Sequence, residues 1–311
     1  MAVDEDTAPT SLKTHRYLRL SLVFIVFTLL TSVVIQAVVT SWEPFTLGWD
    51  PLPSISHSFY TPARAVFVGA LTAASLALLA LSGRDRATTL LDISALFAPL
   101  IAIVPTGLAN RQRIGGFECP DNFECVPVEF EGEMRFGIAV YAVVVVAVVG
   151  TMAVIRRRTR APNRSARLVS IIAIVTAVVL AALAFWPALN EHFPFNFWPV
   201  HSIHFVVTLL FFGVFAAVPI LYAGGPLEPG ETPPTPRQRT IYRWIAGLLI
   251  ADLLLLVVAL LFRQAFGETP VVLFGEAVAL ILFAAFWWVQ TFQRWDDPNP
   301  PSIGARRSPS A

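Results

Sequence analysis

Eight apolar runs separated by short polar stretches set the pattern of this chain, at 20–40, 64–82, 88–106, 136–155, 168–187, 202–223, 241–262 and 271–291. The first holds 21 residues without a charge, and at 1.5 Å per helical residue about 20 residues cross a hydrocarbon core of ~30 Å. Each run is read as a transmembrane helix, so the fold class expected is all-α, a polytopic membrane bundle of about eight helices. The third run is broken by Asp92, Pro99 and Pro105. Proline is tolerated in membrane helices where neighbours satisfy the freed carbonyls, and the run is kept. The first run lacks the short core and cleavage site of a secretory signal and is read as an anchor.

Composition supports this reading: 56% of residues are hydrophobic and 14% charged, where soluble domains carry about a quarter charged. A net charge of +1 argues against a nucleic-acid partner, leaving membrane lipids as the expected one. Lys13 is the single lysine among 22 basic residues, a bias that points to a high-GC bacterial genome and hence to a bacterial plasma (inner) membrane. With the N-terminus inside, 17 of the 22 basic residues fall in inner segments, and Arg64, Arg111, Arg113, Arg135 and Arg263 fall outside. Losing one span would invert the downstream half and scramble that bias, so both termini are expected to be cytoplasmic. Residues 1–19 then form an inner N-terminal segment and 292–311 a disordered inner tail. The arginine-rich stretch 156–167 is expected to rest on anionic head groups.

The outer segments, 41–63, 107–135, 188–201 and 263–270, hold many aromatic rings, as an interfacial belt does. Cys119 and Cys125 both fall in the second of them. Outside the cytosol a disulfide is expected, with a two-cysteine metal site or free thiols as alternatives.

Ionisable groups inside hydrocarbon cost about 2.5–3.5 kcal/mol on insertion scales and usually face a partner, cavity or water. Asp252 lies mid-way along the seventh run, Glu276 near the outer start of the eighth and His204 in the first turn of the sixth. Asp252 is either a proton-relay carboxylate or a hydrogen-bonded link between helices. Arg64 and Glu276 lie at similar depth and form either a salt bridge or part of an anion clamp. His201 and His204 share a helix face at a spacing of three, so with His57 they can hold zinc, Glu276 then serving as general base. Hydrogen bonds from these histidines to loop carbonyls are the plainer alternative. Asp92 is expected to cap the third helix or to complement its dipole. Gly69, Ala73 and Ala74 suit close helix packing, within one chain or between chains, and the sequence leaves the oligomeric state open.

The stretches ISHSFYTPARAVFVGALTA (55–73), IVPT (103–106), HSIHFVVTLLFFGVFA (201–216), RQRTIYRWIAG (237–247) and GEAVALILFAAFWWVQ (275–290) resemble, in order and spacing, a group of bacterial multi-pass membrane proteins of unassigned function. Their entrance motif, SHxxYxPxRxxFVG, is matched here by His57, Tyr60, Pro62 and Arg64, with Ala65 standing where an acid is usual. His204 and Glu276 also match what the resemblance implies. A looser likeness to membrane ceramidase-type zinc hydrolases rests on intramembrane His and acid residues, whose spacing differs. The function expected is an outward-facing polar pocket, lined by His57, Arg64, His204 and Glu276, that binds or transports a lipid head group or small anion. A metal-dependent lipid or amide hydrolase and a non-catalytic scaffold are the alternatives.

Overall fold

The computed structural model describes residues 10–295 apart from 43–44, 82, 84, 109–112, 120–123, 160–163, 191–192, 198–199, 227–230 and 262–269. The chain is an all-α polytopic membrane bundle. Its helices are α1 (Thr10–Val38), α2 (Arg64–Ala80), α3 (Arg86–Ile103), α4 (Val128–Thr159), α5 (Arg164–Phe185), α6 (Ile203–Gly224), α7 (Pro236–Leu261) and α8 (Val271–Gln293). Seven of these are long and apolar enough to cross a bilayer. The exception, α2, has 17 residues, about 25 Å of rise and so short of the hydrocarbon thickness. A buried 3₁₀ helix, Ile55–Tyr60, packs against its N-terminal end. The expected inner tail from 296 onward and Arg263 lie outside the described residues.

Several helices run beyond their apolar stretches into polar flanks. Glu129 and Glu131 occupy the first turn of α4, where the helix dipole favours negative charge. The cap of α3 corrects an expectation: Asp85, not Asp92, is its N-cap, accepting a 2.8 Å bond from the Thr88 amide. Asp92 lies nearly two turns inside the helix, too far along to reach the first-turn amides.

At the centre of the bundle α3 packs on α2, α5 and α6; α6 packs on α7, and α8 closes the array between α7 and α1. Ala87, Ala95 and Ala98 of α3 are wholly buried, and their small side chains let neighbouring helices approach closely. Pro99 has no N–H to bond the Ala95 carbonyl one turn earlier. Ser75 of α2 supplies the missing donor at 2.8 Å, which is how a proline persists in this central helix. Gly275 is a second close approach, since a Cβ there would lie 2.5 Å from Leu256 of α7. Gly69 has no such role, with nothing within 4 Å of where its Cβ would be, while Ala74 is buried and Ala73 exposed. Phe24, Phe27, Val143, Leu254 and Phe274 stand exposed on the outside, an apolar girdle suited to lipid rather than water.

Three short antiparallel hairpins gather at one rim: Val39–Trp42 with Phe45–Leu47, Arg113–Ile114 with Phe117–Glu118, and Phe195–Phe197 with Val200–Ser202. In the segment between α3 and α4 Cys119 and Cys125 are joined by a disulfide, beside a bridge between Leu108 and Cys125. The turn of the middle hairpin carries Gly115 at φ +59°, and a Cβ there would fall 1.7 Å from the Tyr60 carbonyl oxygen. That hairpin therefore sits directly on the 3₁₀ segment. At the opposite rim buried polar contacts tie the bundle ends together. Tyr242 donates to Gln293 at 2.5 Å, Gln293 to the Thr232 carbonyl at 2.9 Å, and Arg16 to the Trp295 carbonyl at 2.6 Å; Arg294 pairs with Glu231.

Candidate functional site

The 3₁₀ segment Ile55–Tyr60 is buried along its whole length, held between the starts of α6 and α8 and the end of α3. The Leu273 amide donates to the Pro53 carbonyl at 3.1 Å. The Tyr60 hydroxyl donates to the Thr106 carbonyl at 2.6 Å. Burial pushes that hydroxyl above its ordinary range, Glu124 adding to the shift and Arg64 opposing it.

The polar centre is a line of four groups. His204 Nδ1 lies 2.6 Å from the carbonyl oxygen of Val104. That oxygen is available because Val104 is the C-cap of α3 and Pro105 follows it, so no helical amide reaches back to it. A carbonyl only accepts, hence Nδ1 carries the proton. Nε2 then faces the Ser56 hydroxyl at 2.8 Å, and Ser56 Oγ lies 3.0 Å from Glu276 Oε1. The other oxygen of Glu276 accepts from the Ile55 amide at 2.5 Å, capping the 3₁₀ helix.

Proton counting constrains this line. The two contacts of Ser56 Oγ each require a proton, and the hydroxyl supplies one. In one arrangement Nε2–H donates to Ser56 and Ser56 donates to Glu276. In the other, Ser56 donates to Nε2 and the Glu276 carboxyl carries the second proton. His204, Ser56 and Glu276 thus share one proton beyond the hydroxyl's own.

Ser56, Thr208 and Glu276 are the polar residues among those lining an otherwise apolar cavity of about 50 Å³. Its walls come from α1, α2, α3, α6 and α8, with Leu29, Leu71, Ala74, Phe212, Leu280 and Phe283 among them. It exceeds the ~10–15 Å³ needed for one water, but an almost wholly apolar wall is suited to hydrocarbon.

The expected site residues separate in an informative way. His204 and Glu276 come together through Ser56, which the sequence reading had not singled out. His57 lies in the same segment, its Nδ1 2.6 Å from the Ser54 hydroxyl. Arg64 does not face Glu276, a correction to the expected pair. Its partner is Glu133 of α4, and its guanidinium lies over the rings of Phe59 at 4.3 Å and Phe130 at 5.0 Å. Arg64 opens α2 and Glu133 lies in the second turn of α4, so the pair joins the starts of these two helices. Asp252 is buried in α7, with no bond to its Oδ2 among the described residues, and is not among the residues lining the cavity.

For zinc, among the described residues no group of three or more His, Cys, Asp or Glu side chains is placed to hold an ion. His204 has both ring nitrogens in hydrogen bonds, and the side chain of His201 lies outside the described residues. Comparison of the chain with known protein families, curated proteins and solved structures finds no match.

Proposed function

We propose that this protein binds a membrane lipid, its acyl chain in the cavity and its polar head at the line of Ser56, His204 and Glu276. One observation carries the reading: Ser56 and Glu276, two members of the line, are among the residues lining a cavity whose walls are almost wholly hydrocarbon. A ligand apolar along its length and polar at one tip satisfies both parts. A small free anion would meet only the tip, beside the Glu276 carboxyl, while Arg64 is turned toward Glu133. The head group that suits this tip is uncharged and offers ester or hydroxyl oxygens.

The bias of 17 inner against 5 outer basic residues supports cytoplasmic termini in a bacterial plasma membrane. The rim bearing the three hairpins then faces out, and the lipid comes from the outer leaflet. A disulfide at that rim agrees with an oxidising side. The binding test is equilibrium titration of a radiolabelled monoacylglycerol into the purified protein. Ala74→Phe, which fills the cavity, should weaken binding at least tenfold, about 1.4 kcal/mol. Unchanged affinity in that variant would remove the cavity from the account.

A further inference from the structure

We infer that Ser56 is a nucleophile and His204 its general base, so that a lipid held in the cavity is a substrate for acyl transfer. The inference rests on the lipid-binding reading above and assigns that site a reaction. Three features carry it. First, Ser56 Oγ and His204 Nε2 are 2.8 Å apart, within reach for direct proton transfer. Second, the far nitrogen of the ring is fixed by the Val104 carbonyl at 2.6 Å. That contact sets the tautomer and orientation of the imidazole, the role an acidic residue plays in the Ser–His–Asp arrangement. Third, Ser56 is among the residues lining the apolar cavity, which puts it beside the space an acyl chain would occupy.

The substrate class is a carboxylic ester of a single long acyl chain. Ser56 Oγ bonds to the ester carbonyl carbon while its proton passes to His204 Nε2. The ester C–O bond then breaks, and the leaving oxygen takes that proton from Nε2, giving an alcohol and an acyl-Ser56. In the second half an acceptor hydroxyl, from water or a second alcohol, bonds to the acyl carbon and gives its proton to Nε2. The bond from the acyl carbon to Ser56 Oγ breaks, and Oγ recovers that proton. No oxidant, reductant or metal enters the balance. The Ile55 N–H, in the residue before Ser56, donates to Glu276 Oε2 at 2.5 Å. The arrangement in which Glu276 carries the shared proton is the reactive one, because it leaves the Ser56 hydroxyl donating to His204.

The test treats the full chain in detergent with a long-chain alkyl fluorophosphonate and locates the adduct by peptide mass spectrometry. Labelling forms a bond from Ser56 Oγ to phosphorus and releases fluoride. The expected result is an adduct on Ser56, lost in Ser56→Ala and formed about a hundredfold or more slowly in His204→Gln, the least that a general base supplies. Ser56→Cys keeps nearly the same side-chain volume and guards against a folding artefact. Its thiol should be alkylated by a long-chain iodoacetamide faster than in Ser56→Cys combined with His204→Gln. Wild-type protein that binds monoacylglycerol but gains no adduct on Ser56 overturns the nucleophile and leaves the lipid site standing. An adduct formed equally fast in His204→Gln overturns the general base. Protein that neither binds the lipid nor labels overturns both readings.

Discussion

Ser56 and His204, 148 residues apart in sequence, are joined by a buried 2.8 Å hydrogen bond. The bond ties the 3₁₀ segment ahead of α2 to the first turn of α6, and Glu276 extends the tie to α8. One hydroxyl therefore holds three elements at the rim. Replacing it in Ser56→Ala withdraws a partner from both His204 Nε2 and Glu276 Oε1, and the loss should be about 1–3 kcal/mol, the cost of leaving buried polar groups unmet. Denaturant unfolding in detergent measures it, and an unchanged midpoint would mean that the line does not hold the rim together.

Arg64 should behave differently. Its pair with Glu133 is partly exposed, with side chains 35% and 55% accessible, and such pairs contribute about 0–1 kcal/mol. The flanking rings of Phe59 and Phe130 add about 0.5–1 kcal/mol at an exposed site. Arg64→Gln is expected to lower stability less than Ser56→Ala and to leave monoacylglycerol affinity unchanged. A tenfold loss of affinity would return Arg64 to the site.

The middle hairpin covers the 3₁₀ segment through Gly115. A left-handed residue other than glycine costs about 1–2 kcal/mol, and a Cβ here would also meet the Tyr60 carbonyl at 1.7 Å. Gly115→Ala should therefore lift the hairpin as well as strain it. Limited proteolysis should cut the 113–118 region faster than in the wild type, and equal rates would show that the hairpin is not seated on Tyr60.

The disulfide between Cys119 and Cys125 closes a loop of few residues, for which the chain-entropy estimate is about 2 kcal/mol. Cys119→Ser is expected to lower stability by that order. The intact wild-type protein should be lighter by two hydrogens than its reduced form in mass spectrometry. Equal masses before and after reduction would show that the bridge does not form.

The all-α architecture was legible from run length and charge alone, because hydrocarbon forces long uninterrupted helices and leaves few polar groups to confuse the pattern. The helix that departs from it, α2, starts at Arg64 as its apolar run does but ends at Ala80; the 3₁₀ segment ahead of it was not legible, since its residues carry no periodic apolar signal. His204 and Glu276 stood out as ionisable groups in apolar runs, and the site contains both. Ser56 did not stand out, since a serine in a polar entrance looks like any loop residue until a fold brings a histidine to it. Arg64 was misread for a related reason. Depth along a helix was visible, but the direction the side chain faces depends on which neighbour α2 packs against. The Asp85 cap was overlooked because the helix begins before its apolar run does.

Photo-crosslinking of a monoacylglycerol that carries a diazirine along its acyl chain reports where that chain lies. Lipid binding in the cavity predicts adducts on cavity residues from several helices, such as Leu29, Leu71, Phe212 and Leu280, and their loss in Ala74→Phe. Adducts confined to the outer girdle, on residues such as Phe24, Val143 and Leu254, and indifferent to Ala74→Phe, would contradict it.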